Sequence, residues 1–253
     1  MNNSEGGAVA HYYDVFAEVY DERWGQQDYA GAELAFLREL AGDEPALEVG
    51  IGTGRVAIPL AEAGVTVVGV DPSPKMLAVL ARKLAGAPHL KVEAGVGDMT
   101  LAGVTGRFGL VFCVYHTLFY ADSREEQQQF FHRAAQLLAP GGAVVVEGYQ
   151  PGQTRRARWA KGVRVCELSP DGFEYELYRH DEANQTLEVG CHSLTGGQLQ
   201  YSYWVERYLT AGQTDELAAE AGLALSERWG SYARAPFDDA SSRCVSVYVS
   251  SSC

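Results

Sequence analysis

Five short runs of mostly apolar, often β-branched residues, at 46–49, 66–70, 90–93, 110–114 and 143–146, recur through the first 150 residues, and stretches of helical spacing separate them. Most of these runs are too continuously apolar for a strand with one wet face; a strand covered by helices on both faces reads this way. Strands that alternate with helices imply right-handed crossovers, and so a doubly wound α/β fold with a Rossmann-like parallel sheet. The helices are legible too. At 74–84, Met76, Leu77, Leu80 and Leu84 fall on one stripe, with Ser73 placed to cap the helix and Pro74 at its first position. Ser123-Arg124-Glu125-Glu126 matches a capping box, and the helix it opens turns Phe130, Phe131, Ala134, Leu137 and Leu138 toward a core.

After Tyr149 the period changes. Residues 163–207 read as four alternating strands, with Leu199, Tyr201, Tyr203 and Val205 on one face and turn signals at 170–172, around Asn184 and at 196–197. This is an antiparallel β insertion. Helical spacing returns at 214–222, and the runs 223–229 and 244–249 complete a seven-stranded sheet. The chain of 253 residues therefore divides into a helical cap over 1–42, with Leu34, Phe36, Leu37 and Leu40 inward, a nucleotide-binding core over 43–150, a lid over 151–210 and a completion of the core over 211–253.

Composition narrows the function classes. With 33 acidic against 20 basic residues the net charge is −13, which repels phosphate backbones and argues against nucleic-acid partners. No stretch approaches the ~20 apolar residues of a bilayer span, and the opening residues carry neither a basic nor an apolar leader region, so a cytoplasmic location without membrane association is expected. Five cysteines without paired spacing fit neither a disulfide framework nor a zinc site, and no metal is expected. Cys113 and Cys244 sit in apolar runs and read as buried thiols.

The chemistry gathers at Glu48-Val49-Gly50-Ile51-Gly52-Thr53-Gly54-Arg55, which joins the first strand to its helix. Glycine lets a ligand approach the backbone there and tolerates positive φ. The dinucleotide fingerprint needs a third small residue where Arg55 stands, which disfavours nicotinamide oxidoreduction. Asp71 ends the second strand 19 residues after Gly52, where a carboxylate can accept from both hydroxyls of a ribose. Asp98 follows the third strand in Gly97-Asp98-Met99.

With these motifs in order, the chain resembles the class I S-adenosylmethionine (SAM)-dependent methyltransferases over nearly its whole length, and within them the small-molecule branch typified by amino-sugar N-methyltransferases. The resemblance implies SAM as cofactor. It places Gly50, Gly52 and Gly54 beneath the methionyl and ribose portion with Glu48 nearby, Asp71 on the ribose, Asp98 on the adenine amino group and Met99 against the ring. It also implies that aromatic residues of the N-terminal segment, Tyr20 and Tyr29, close over SAM, and that Tyr115 contributes at the end of the fourth strand. Ordinary packing is the other reading of these tyrosines.

His116 stands where that family more often carries Ser or Asn, so its role rests on chemistry alone. At the carboxyl end of the fourth strand a neutral imidazole can take a proton from an attacking hydroxyl or ammonium, and His116 is the candidate catalytic residue; a packed, satisfied histidine is the alternative. The expected reaction is methyl transfer to an O, N or C nucleophile of a small molecule, such as a secondary metabolite, by a monomer or homodimer. A SAM-binding module or a SAM-assisted non-methylating enzyme is the competing class. The aromatic lid residues Tyr175, Tyr201, Tyr203 and Trp204 suggest a hydrophobic or aromatic acceptor. The basic stretch Arg155, Arg156, Arg158, Lys161 and Arg164 reads either as an anchor for a substrate carboxylate or phosphate or as a solvated linker.

Overall fold

Strands whose apolar side chains do not alternate must be covered on both faces, and the computed structural model, which describes residues 13–24, 31–195 and 197–251, covers them so. Five parallel strands, β1 (Ala46–Val49), β2 (Val67–Asp71), β3 (Val92–Val96), β4 (Phe108–Cys113) and β5 (Leu138–Tyr149), follow the expected runs. β10 (Leu223–Trp229) and β11 (Arg243–Ser250) complete a seven-stranded sheet of order β10-β11-β5-β4-β1-β2-β3, in which β11 runs antiparallel to both neighbours. β3 is the exception to the buried reading. It lies at the sheet edge and is largely exposed, whereas β1, β2 and β4 are covered as the sequence implies.

On one face of the sheet, α2 (Ala32–Ala41), α3 (Ala57–Glu62) and α4 (Pro74–Ala85) pack Phe36, Leu37, Leu60 and Leu80 against Phe112 and Val145. On the other, α5 (Arg124–Leu137) inserts Phe130 and Phe131, both with no exposed surface; burying a phenylalanine stabilises by roughly 1.5–3 kcal/mol. Ser73 caps α4 as its sequence predicts, accepting from the Met76 N–H at 3.1 Å, with Pro74 at the first position. At α5 the box is displaced by one residue. Ser123 accepts from the Glu126 N–H, but the Glu126 carboxylate takes the N–H of Asp122 instead of that of Ser123. Both halves of a capping box close at α7 (Ala211–Glu220), between Thr210 and Gln213.

The insertion forms a separate sheet of order β6-β7-β8-β9, made of β6 (Val163–Ser169), β7 (Gly172–Asp181), β8 (Thr186–Thr195) and β9 (Gln198–Arg207), preceded by α6 (Gln153–Ala160). Its inner face, with Leu187, Val189 and Trp204, joins the core around Tyr149 and Trp159. The side chains that the alternation groups together, Leu199 and Tyr201, face the other way and are 68% and 54% exposed. Tyr175 stacks on His192, which leans on Tyr201, on that same outward face. Of the four aromatic residues taken to suggest a hydrophobic or aromatic acceptor, only Trp204 points inward, and Tyr175, Tyr201 and Tyr203 lie on the outward face. Alternation identifies two faces but not which one meets the core. The short helix α1 (Tyr20–Trp24) lies over the glycine loop. Among the described residues no helix is long and apolar enough to cross a membrane.

Candidate active site

β1 lies between β2 and β4, so the strand order reverses beside it and a crevice opens at the carboxyl ends of the strands. The chain leaves β1 through Gly50 at φ +79°, where a side-chain β-carbon would stand 2.7 Å from Thr117 Cγ2. The loop is tied to β2 by one carboxylate: Asp71 Oδ2 accepts the Gly52 N–H at 2.8 Å and Oδ1 the Ser73 N–H at 2.8 Å. Gly54 does something different from its two companions. It does not line the crevice, and a β-carbon there would meet Leu80 Cδ1 at 2.5 Å, so it permits close packing of α4 against the loop.

The crevice is a cavity of about 400 Å³. Of the residues singled out in the sequence, Tyr20, Glu48, Gly50, Gly52, Asp71, Asp98, Met99 and Tyr115 line it; Tyr29 lies outside the described residues. Five carboxylates (Glu48, Asp71, Asp98, Asp122 and Glu126) and a single guanidinium, Arg55, stand among its described lining residues, which suits a cation. Glu48 is 3% exposed and its Oε2 has no hydrogen-bond partner. Burial pushes the Glu48 carboxyl well up, against the opposing pull of Arg55. Burial likewise outweighs the two backbone donors on Asp71 and pushes it up to about 6. Asp98 is exposed and also serves its own turn, accepting from the Thr100 N–H at 2.9 Å.

Of the further residues that complete this site, the sequence singles out Tyr13 in the N-terminal aromatic segment but not Tyr120. Tyr13 and Tyr120 line the cavity, their rings 5.8 Å apart edge to face, and burial pushes the Tyr20 hydroxyl beside them up to about 12. The N-terminal segment is latched down by polar contacts: Ser73 Oγ donates to Asp14 at 2.6 Å, Thr53 Oγ1 donates to Asp21 at 2.7 Å, and Lys83 pairs with Asp21 at 2.5 Å. Arg55 stacks over the Tyr115 ring with its guanidinium carbon 3.7 Å from the centroid.

His116 does not line this cavity. It faces a second, adjoining cavity of about 210 Å³ at the ends of β4 and β5, with Glu147, Tyr149, Arg155 and Arg243; Tyr115 lines both. The Tyr120 hydroxyl lies 3.3 Å from His116 Nε2, and burial lowers the imidazole below its ordinary pKa, so it is neutral near pH 7. Tyr115 and His116 both adopt left-handed backbone, φ 58° and 49°, a strained state for non-glycine residues. Glu147 holds them there. Its Oε2 accepts from the Tyr115 N–H at 2.8 Å and the Tyr232 hydroxyl at 3.1 Å, and its Oε1 pairs with Arg243 at 3.0 Å. A charge closing an otherwise apolar run, Val144-Val145-Val146-Glu147, was the signal for it.

Within electrostatic reach of Glu147 lies Glu33, 2% exposed, beside the Tyr232 hydroxyl. Burial, with Glu147 adding to it, pushes its carboxyl up to about 8. From the ordinary glutamate range to about pH 8, the folded chain therefore holds a proton that the unfolded chain has lost, and stability falls as pH rises across that window. Glu33→Gln keeps the shape without titrating. Thermal melts at pH 5 and pH 8 are expected to show the variant gaining on the wild type by several degrees at the higher pH; parallel curves would refute the assignment.

The "Methyltransferase domain" family model matches residues 46–142. The cypemycin N-terminal methyltransferase of Streptomyces sp is 30% identical over 196 residues, covering 76% of this chain and 77% of that one. Among solved structures, the CcbJ methyltransferase from Streptomyces caelestis superposes with a TM-score of 0.85 at 33% identity, covering 95% of this chain and 98% of that one. SAM-bound CalS10, an amino pentose methyltransferase from Micromonospora echinaspora, shares the fold with a TM-score of 0.66 at 21% identity, covering 92% and 95%.

Proposed function

The chain belongs to the SAM-dependent methyltransferases, and from that premise we propose that it methylates an amine nitrogen of a small natural product, with the donor in the larger cavity and the acceptor in the smaller. The observation that carries this reading is the placement of a neutral imidazole, His116, in a cavity that meets the donor cavity at Tyr115.

SAM, when bound, supplies a methyl group already activated by its sulfonium. The residues fit it: Gly50 and Gly52 leave room for close backbone approach, Asp71 retains acceptor capacity for ribose hydroxyls beyond the two N–H groups it holds, and the unpartnered Oε2 of Glu48 suits the ammonium. Asp98 and Met99, which line the same cavity, would meet the adenine, and Tyr20 with Tyr13 would cover the ligand from the N-terminal segment. Alignment and exclusion of water are then the main contributions of the protein.

On the acceptor side, His116 takes the proton that an ammonium must lose before its lone pair is free. Burial lowers the imidazole's pKa and so keeps it in the neutral, proton-accepting form near pH 7. The cypemycin relative, named for methylation at an N-terminus, supports nitrogen as the accepting atom.

Incubating the protein with SAM and a panel of amines and alcohols, read by mass spectrometry, tests the reading; methyl found on oxygen alone would overturn it. His116→Ala is expected to lower kcat by about 100-fold while S-adenosylhomocysteine affinity stays unchanged. The acid limb of the kcat profile should lie below the ordinary histidine range and vanish in the variant.

A further inference from the structure

Five basic residues crowd positions 155–164 of a chain whose net charge is −13. Tertiary structure sorts them. Arg156 pairs with Glu182 at 3.1 Å and Arg164 with Glu176 at 3.4 Å, Arg158 lies by the Tyr178 hydroxyl, and Lys161 ends α6 in solvent. Of the five, only Arg155 lines either of the two cavities described above, the smaller one beside His116.

Arg155 is half-buried, with its guanidinium carbon 4.2 Å from the centroid of the Tyr149 ring. Among the described residues no carboxylate pairs with it and no acceptor takes its N–H groups. The other charges of the cavity are spoken for: Glu147 and Arg243 neutralise each other at 3.0 Å, and His116 is neutral. Glu206, behind Tyr149, accepts from the Tyr149 hydroxyl at 2.6 Å and from Trp204 Nε1 at 3.0 Å; it favours the charged guanidinium without occupying its donors. A planar fork of five donors, stacked on an aromatic face and open toward a cavity, is built to receive a carboxylate or a phosphate.

Resting on the reading that this cavity takes the methyl acceptor, we propose that Arg155 binds an anionic group of that acceptor, so that the substrate class is an amine carrying a carboxylate or phosphate. One small cavity then holds both ends of a zwitterion, the acid at Arg155 and the nitrogen beside His116. The arrangement also discriminates. The field of an acidic protein repels anions, and only a local cation within a screening length of ~8–10 Å offsets it; a neutral amine leaves the Arg155 donors unpaired.

Matched probes test this by calorimetry on the protein saturated with S-adenosylhomocysteine: β-alanine against β-alaninamide, and phosphoethanolamine against ethanolamine. The wild type is expected to prefer the anionic member of at least one pair by about tenfold, and the pair that shows it identifies carboxylate or phosphate. Arg155→Met should bring the ratio within about twofold, Arg155→Lys should retain part of it, and Arg156→Met should leave it intact. No preference in the wild type, or one that survives in Arg155→Met, overturns the proposal. The readout is binding, so the two readings fail separately. An Arg155-dependent preference with methyl found only on oxygen would sink N-methylation alone, whereas N-methylation indifferent to Arg155 would sink this inference alone.

Discussion

Asp71→Ala is expected to weaken S-adenosylhomocysteine binding by at least about 100-fold. In the native site both oxygens accept backbone N–H groups, Gly52 and Ser73, each at 2.8 Å, inside a region where the carboxylate itself is buried. Removing the acceptor leaves two donors unsatisfied, at roughly 1–3 kcal/mol each, and also removes the proposed ribose contacts. Since about 1.4 kcal/mol is a factor of ten, the loss spans two decades or more even if part of it appears as lower stability. Calorimetry with S-adenosylhomocysteine, alongside a melting curve, separates the two shares; binding within threefold of the wild type would exclude the proposed role.

The same carboxyl predicts a pH dependence. Burial raises it to about 6, and the form that accepts hydroxyls and sits beside a cationic ligand is the ionised one. Affinity should therefore be level above pH 6 and fall below it, and Asp71→Asn should lose that slope.

Glu147→Ala is the second large effect. It removes one partner of a mostly buried ion pair, the acceptor for the Tyr115 N–H and the acceptor for the Tyr232 hydroxyl together. Breaking a buried pair costs about 3–5 kcal/mol; Arg243 remains about a third exposed, which places the expected loss near 3 kcal/mol. At about 2–4 °C per kcal/mol for a chain of this size, Tm should drop by about 6–12 °C. Turnover should fall further than stability alone explains. The left-handed backbone at Tyr115 and His116 costs of the order of 1–3 kcal/mol per residue and persists only while its surroundings hold it. Assays well below the new Tm should show kcat reduced by at least about tenfold with S-adenosylhomocysteine still bound, and Glu147→Gln, which keeps an acceptor for Tyr115, should recover part of it. A variant with unchanged Tm and kcat would show that Glu147 does not position the loop.

Much of the fold was legible because its signals are local. β-branched runs mark the strands, Ser73-Pro74 marks the start of α4, and the glycine loop and Asp71 lie at the ends of adjacent strands wherever the sheet goes. The donor side of the site followed from these. The smaller cavity did not, since Glu147 and Tyr149 on β5 and Arg155 on α6 meet His116 from the end of β4 and Arg243 from β11 only once β11 lies between β5 and β10. Nothing in the alternation of β9 says which of its faces meets the core, and the more apolar-looking one turned outward.

By itself, then, the sequence determined the alternating α/β order, the glycine turn with its carboxylates, and the presence of an antiparallel β insertion between β5 and α7, because each depends on residues close along the chain. Only the tertiary structure decided that Gly54 serves packing, that His116 belongs to a second cavity, and that Arg155, of the five basic residues at 155–164, points into it. Those outcomes depend on which distant surfaces bury each other and on which charges find partners, and neither is written in residues close along the chain.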